Sequence, residues 1–270
     1  MIDTIKYHIG FSLNDLGTNP PTVALLCGDP DRIRRIAAGF PGLKPGRLLS
    51  EKRGLVSCLV TTEKGIPLLL ATSGMGAPST SIVVNELYQV GIRVIIRVGT
   101  TGSIQEEVKA GSIVISRAAL CRQGASLDIA PVEYPASADP FVTTELVHAA
   151  EGLGLDWHLG VTASVDTFYE GQERTDSSAT RHLIRRLKGV TEEYRNLGIL
   201  NYEMEAGTLF KMAGVYGFAA GCVCAVISDR TNEEDIDLSI KEQTEAHAVL
   251  CALKAVENLK QQYLDRRYLR

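Results

Sequence analysis

Short apolar runs separated by longer mixed stretches set the rhythm of the chain. Val23–Cys27, Pro67–Thr72, Val94–Val98, Ser112–Leu120, Trp157–Val165 and Ala219–Ser228 are each too short for a buried helix, and most are too continuously apolar for a strand with one wet face. They therefore predict strands covered on both sides. Leu55–Thr62 joins Pro67–Thr72 as a hairpin through Glu63-Lys64-Gly65. Between the strands lie helical patterns. One opens at Asp29-Pro30-Asp31. Another spans Ser79–Gln89, with Ile82, Val83, Leu87 and Val90 on one side. Two more span about Phe141–Leu153 and Ala206–Val215. The last, about Leu238–Tyr263, sets Val249, Leu253, Val256, Leu259 and Tyr263 on one face. Alternating strands and helices predict an α/β fold with helices on both faces of its sheet, and ligands at the carboxyl ends of its strands. With no internal repeat or linker to divide them, the 270 residues are expected to form one domain, residues 1–270.

The polar interruptions fall at those strand ends. Arg97 stands inside the run Val94–Val98, and Gly99-Thr100-Thr101-Gly102 follows it as a turn of backbone amides and hydroxyls. A buried guanidinium needs an anion. Phosphate or another oxyanion answers to this set of donors; an internal salt bridge is the alternative. Gly28-Asp29-Pro30-Asp31-Arg32 brings a glycine, a helix amino end and a second arginine together, as another anion-binding element or as a plain capped turn. In Phe168-Tyr169-Glu170-Gly171-Gln172-Glu173-Arg174, an extended backbone would point Gln172 and Arg174 the same way. An amide that donates and accepts, beside a guanidinium that only donates, suits a flat heterocycle with N–H and C=O groups, and Phe168 would stack on it. The alternative is a solvated surface loop. Glu203-Met204-Glu205 precedes a helix. Its carboxylates suit vicinal hydroxyls, acid–base chemistry or, least of these, a metal; as helix amino-end acids they are favoured by the dipole alone. Asp229–Asp235 is a charged loop able to close over a site.

Composition removes several classes of function. A net charge of −4 and a lack of long basic runs disfavour polymeric nucleic acid. No apolar run reaches bilayer length and the start lacks a signal peptide's apolar core, so no membrane partner and a cytoplasmic location are expected. The six cysteines lie mostly in apolar runs, as reduced core thiols do, and Cys222 and Cys224 have no partner spacing that makes a zinc site. No G-x-G-x-x-G or P-loop is present, against dinucleotide and nucleoside-triphosphate enzymes.

Together, Gly28–Arg32, Arg97–Gly102, Phe168–Arg174 and Asn201–Glu205 resemble the nucleoside phosphorylase family, and within it the uridine-cleaving phosphorylases; the likeness runs from His8 to the last helix. It implies a three-layer α/β/α sandwich around a mixed, partly barrel-like sheet. It also implies phosphate-dependent cleavage of uridine to uracil and ribose 1-phosphate, in pyrimidine nucleoside salvage. Purine nucleoside phosphorylases, nucleosidases that use water, and a non-catalytic nucleoside-binding protein are the rival readings. By position, the resemblance assigns phosphate to Gly28, Arg32, Arg97, Thr100 and a neighbouring subunit's Arg53. It assigns ribose to Glu203, Met204, Glu205 and a histidine matching His8 that crosses the subunit interface, and the base to Phe168, Gln172, Arg174 and Arg230. Arg97, Gln172 and Arg174 are the candidate catalytic residues. Phosphate is a co-substrate; no cofactor or metal is expected. The family's composite sites imply a homo-oligomer, a dimer or a hexamer built as a trimer of dimers. Two positions depart from the pattern. Asp229 stands where uridine phosphorylases tend to have a non-acidic residue and purine-cleaving relatives an aspartate that protonates the purine. Gly54 stands where some bacterial members have a glutamate for a monovalent cation, so that ion is not expected.

Overall fold

The computed structural model describes residues 4–231 and 238–259. Among them, nine strands run β1 (Val23–Cys27), β2 (Leu43–Ser50), β3 (Ser57–Thr62), β4 (Pro67–Thr72), β5 (Val94–Ser103), β6 (Ile113–Arg122), β7 (Trp157–Val165), β8 (Ile199–Glu203) and β9 (Ala219–Asp229). They form one sheet in the order β2-β3-β4-β1-β5-β8-β7-β6-β9, and β9 pairs back onto β5. Strands β5, β8, β7, β6 and β9 thus close into a five-stranded barrel, with β1 to β4 as an open extension. Parallel β1–β4, β1–β5 and β5–β9 ladders and antiparallel β3–β4 and β6–β9 ladders make the sheet mixed.

Alternation along the central strands separates two cores. Val23, Leu25 and Cys27 of β1 and Val94, Ile96 and Val98 of β5 face α1 (Pro30–Gly39), α3 (Pro140–Gly152) and α6 (Leu238–Asn258). Ala24 and Leu26 of β1 and Ile95 of β5 face α2 (Ala77–Gln89) and α5 (Ala206–Tyr216). A sheet covered on both faces explains the continuous apolar runs, and each fully buried branched side chain contributes about 1.5–3 kcal/mol. The three-layer architecture and the barrel-like mixed sheet are therefore present. Val249, Leu253 and Val256 of α6 are buried as expected, and Leu259 packs against them; Tyr263 lies outside the described residues.

Three local expectations are corrected. The stretch Gly99–Gly102 is not a turn but the second half of β5, because its residues pair with Cys224–Ser228 of β9, with a register shift between Thr101 and Gly102, and Gly102 pairs also with Tyr202 of β8. Ile82 lies exposed on the outer side of α2, whose inner side is Thr80, Val83, Val84 and Leu87. The segment 166–174 is a chain of turns rather than an extended strand. Arg174 N–H donates to the Tyr169 carbonyl at 2.7 Å, and Glu173 takes a left-handed backbone (φ 55°). Three elements that the apolar pattern does not announce are β2, most of whose residues are exposed, β8, and the short helix α4 (Val190–Asn196).

Candidate active site

The carboxyl ends of five strands open onto one cavity of about 470 Å³. Gly28, Asp29 and Arg32 reach it from the β1–α1 junction, where the Asp29 side chain accepts the Asp31 N–H and Pro30 takes the first helical position. Arg97 and Gly99–Gly102 come from β5, Glu203, Met204 and Glu205 from the β8–α5 junction, Phe168, Gln172 and Arg174 from the turn after β7, and Ile227 and Ser228 from β9. Met75 closes the side formed by the loop after β4.

At the β1–β5 end the two arginines are buried and internally partnered. Arg97 Nε donates to Glu203 Oε2 at 2.9 Å and its Nη2 lies 2.5 Å from Glu205 Oε2. Burial works against the Arg97 charge, but Glu205 and Glu203 more than offset it, so its pKa lies well above the ordinary value. Arg32 is held sideways by Glu245 of α6, through Nε at 3.2 Å and Nη2 at 2.7 Å, and donates to the Val98 carbonyl through Nη1 at 3.2 Å. Arg97 is thus ion-paired internally, as the alternative reading has it, and it also lines the cavity.

The two carboxylates differ. Glu203 is saturated: it accepts the N–H groups of Glu205 and Ala206 at 2.8 Å, Arg97 and the Ser164 hydroxyl. Glu205 accepts the Gly76 N–H at 2.6 Å, which ties the loop after β4 to the site. Burial raises the Glu205 pKa by more than Arg97 lowers it. The segment between them is fixed from behind by Gln123 at the end of β6, which donates to the Met204 carbonyl at 2.5 Å and accepts from Thr208.

At the far end Gln172 and Arg174 are buried and adjacent, with Arg174 Nε donating to Gln172 Oε1 at 3.1 Å and the guanidinium 4.4 Å from the Phe168 ring centroid. They converge because of the left-handed turn at Glu173, not through strand alternation. Arg230 does not line the cavity. It lies buried behind it and donates to the Gln172 carbonyl at 2.7 Å, with its guanidinium 5.2 Å from the Tyr202 ring. Burial pushes the Tyr202 phenol up to about 12, so it stays neutral near pH 7. Asp229 also stands outside the lining. Burial raises its pKa, but the Thr231 hydroxyl and N–H, with Lys109, more than offset this and hold it below the ordinary carboxylate range. The rest of the charged loop, from 232, lies outside the described residues.

His8 and Arg53 are elsewhere on the same chain. His8 faces a second hollow, lined also by Glu86, Asp128 and Tyr216, with Nδ1 2.7 Å from Glu86 Oε1. Arg53 is exposed and donates to the Tyr7 hydroxyl at 3.1 Å. Several residues that hold the site carry no local signal: Glu245 lies 213 positions from Arg32, and Gln123, Ser164 and Glu86 sit among ordinary neighbours. Among the described residues no cluster of three or more His, Cys, Asp or Glu side chains could hold a metal ion, and no helix is long and apolar enough to cross a membrane.

Comparison with known proteins matches residues 22–259 to the model of the phosphorylase superfamily. The chain is similar to the uridine phosphorylase of Escherichia coli K12, 43% identical over 257 residues that cover 94% of this chain and 97% of that protein. It is 36% identical to the uridine phosphorylase of Thermococcus kodakarensis, over 94% of this chain and 87% of the relative. The guanosine phosphorylase of Halorubrum lacusprofundi is 33% identical over 76% of this chain and 77% of its own length.

Proposed function

Because this chain belongs to the phosphorylase superfamily, we propose that it is an enzyme that cleaves uridine with inorganic phosphate to give uracil and ribose 1-phosphate. The observation that carries this reading is that one cavity is lined by Arg32 and Arg97, which suit phosphate, by Glu203, Met204 and Glu205, which suit ribose, and by the Gln172–Arg174 pair, which suits a base.

Phosphate is the nucleophile, so no side chain has to be one. Gly28, Arg32, Arg97 and Thr100 hold it under the sugar, and Glu205 takes the vicinal hydroxyls. One phosphate oxygen bonds to C1′ as the C1′–N1 bond breaks, and the electron pair of that bond leaves with the base. Negative phosphate stabilises the oxocarbenium-like sugar. The base gathers charge on its carbonyl oxygens and N1, where Arg174 and Gln172 donate more strongly than to the neutral ring. The contribution of the protein is positioning and charge stabilisation.

Asp229 argues against purine specificity here. Its carboxylate is held ionised and occupied by Thr231 and Lys109, outside the cavity lining, so it is badly placed to give a proton to a base. We also propose that the whole chain works as one domain in the cytoplasm, in pyrimidine nucleoside salvage. The active form is a homo-oligomer in which His8 and Arg53 serve a neighbouring subunit's cavity, which accounts for their distance from their own. No cofactor is required, phosphate being a co-substrate.

The deciding experiment assays uridine, thymidine, inosine and adenosine with and without inorganic phosphate. Uridine should be consumed only with phosphate, and ribose 1-phosphate should appear. Cleavage without phosphate would indicate a nucleosidase, preference for inosine a purine enzyme, and no consumption a binding protein.

A further inference from the structure

Helix α4 sits outside the cavity, yet both of its ends are tied to the pocket that faces the base. At its amino end the Glu173 carboxylate accepts the Gly189 N–H at 2.5 Å and the Thr191 N–H at 3.0 Å. Glu173 lies between Gln172 and Arg174, and its left-handed backbone (φ 55°) is a strained conformation for a non-glycine residue. At the carboxyl end, Arg195 donates to the Ile104 carbonyl at 2.9 Å through Nε and to the Arg230 carbonyl at 2.8 Å through Nη2. Arg230 in turn holds the Gln172 carbonyl. The helix is fixed between these ties as well: near its start Thr191 Oγ1 shares a hydrogen bond with the Tyr202 hydroxyl at 3.1 Å, and in its middle the Tyr194 ring packs 5.8 Å from that of Tyr202.

We propose that α4 is a strut for base recognition and that Glu173 is its positioning residue: by capping α4 with its carboxylate, Glu173 holds the strained turn that aims Gln172 and Arg174 together. Glu173 itself touches no substrate. The strain supports this assignment, because a glycine or asparagine would adopt the turn at less cost and neither could reach both α4 amides with a carboxylate. The inference rests on the reading of Gln172 and Arg174 as the base-binding pair.

Three variants separate the carboxylate from the backbone. Glu173→Ala removes the cap and keeps the strain; Glu173→Gly removes the cap and relieves the strain; Glu173→Gln keeps one accepting oxygen. In Ala and Gly alike, KM for uridine should rise by roughly tenfold to a hundredfold while KM for phosphate stays at the wild-type value, and Gln should fall between them and the wild type. In hydrogen exchange, the Gly189 and Thr191 amides and the 168–174 segment should lose protection in Ala and Gly. A Gly variant with wild-type KM for uridine would overturn the proposal, as would uridine and phosphate KM rising in equal proportion. If the wild type proves not to consume uridine, the functional reading fails on that assay alone. The exchange measurement still decides this inference, which wild-type protection in the Ala and Gly variants would refute.

Discussion

On the proposed function, Arg174 and Gln172 are the residues on which discrimination of the base turns. The Arg174 guanidinium is buried, lies against the Phe168 ring and meets Gln172 through Nε. Removing one donor that strengthens as charge develops costs about 2.7–4 kcal/mol. Arg174→Ala should therefore lose on the order of a hundredfold to a thousandfold in kcat with uridine, measured under saturating phosphate; normal turnover would remove Arg174 from the mechanism. Asp229 makes a different prediction. Its pKa is lower in the folded protein than in the unfolded chain, so the folded state holds its proton less tightly. The stability it contributes is complete above about pH 4 and disappears as pH falls through the folded value. Asp229→Asn should unfold more easily than the wild type at pH 7 and equally easily in strong acid, by thermal unfolding across pH, and should leave the uridine-to-inosine preference unchanged.

Among the elements, β5 carries the site's geometry. It pairs with β9 along its length and with β8 at its end, and its glycines face functional side chains at close range. A Cβ on Gly99 would stand 2.7 Å from Arg97 Nη2 and 3.0 Å from Cys224 Sγ. A Cβ on Gly102 would stand 2.9 Å from Arg230 Cδ and 3.1 Å from Arg174 Nη2. Most of these obstructions are ends of long side chains, so the fold can yield while the guanidinium groups move. Gly99→Ala should thus raise KM for phosphate and Gly102→Ala KM for uridine, each by about tenfold, when the two substrates are varied in turn. The sequence ended the strand at Val98 and read this segment as a turn; it is strand, and it lines the cavity. Two glycines around two threonines look like punctuation locally; pairing on both sides makes them strand. Gln172 and Arg174 show the converse, since extended alternation was the wrong reason for a convergence that a left-handed turn produces.

For the whole molecule, the proposal that His8 and Arg53 serve a neighbouring subunit rests on their separation from the cavity of their own chain. In a dimer mixed from His8→Ala and Arg174→Ala chains, composite sites would leave one site with both residues intact and the other with neither. Activity should reappear on mixing, and sedimentation should show an oligomer. Verified mixed dimers without activity would place His8 outside the site. The closed barrel of β5, β8, β7, β6 and β9, with β1 alongside β5, gathers strand ends from across the chain into one mouth, bringing together residues as far apart as Gly28 and Ser228.

Local patterning determined most of the strands, the two-sided covering of the sheet and the residue types waiting at the strand ends, because period, caps and turn chemistry act over a few neighbouring residues. Val94–Val98 was legible as a buried strand with a cation inside it, and Asp29-Pro30 as a helix start. Only tertiary structure decided what those charges meet. Arg97 finds Glu203 and Glu205, Arg32 finds Glu245, and the Met204 segment finds Gln123, through contacts that barrel closure and the packing of α6 create. A buried charge must be paired, but which distant group pairs with it depends on the path of the backbone in space.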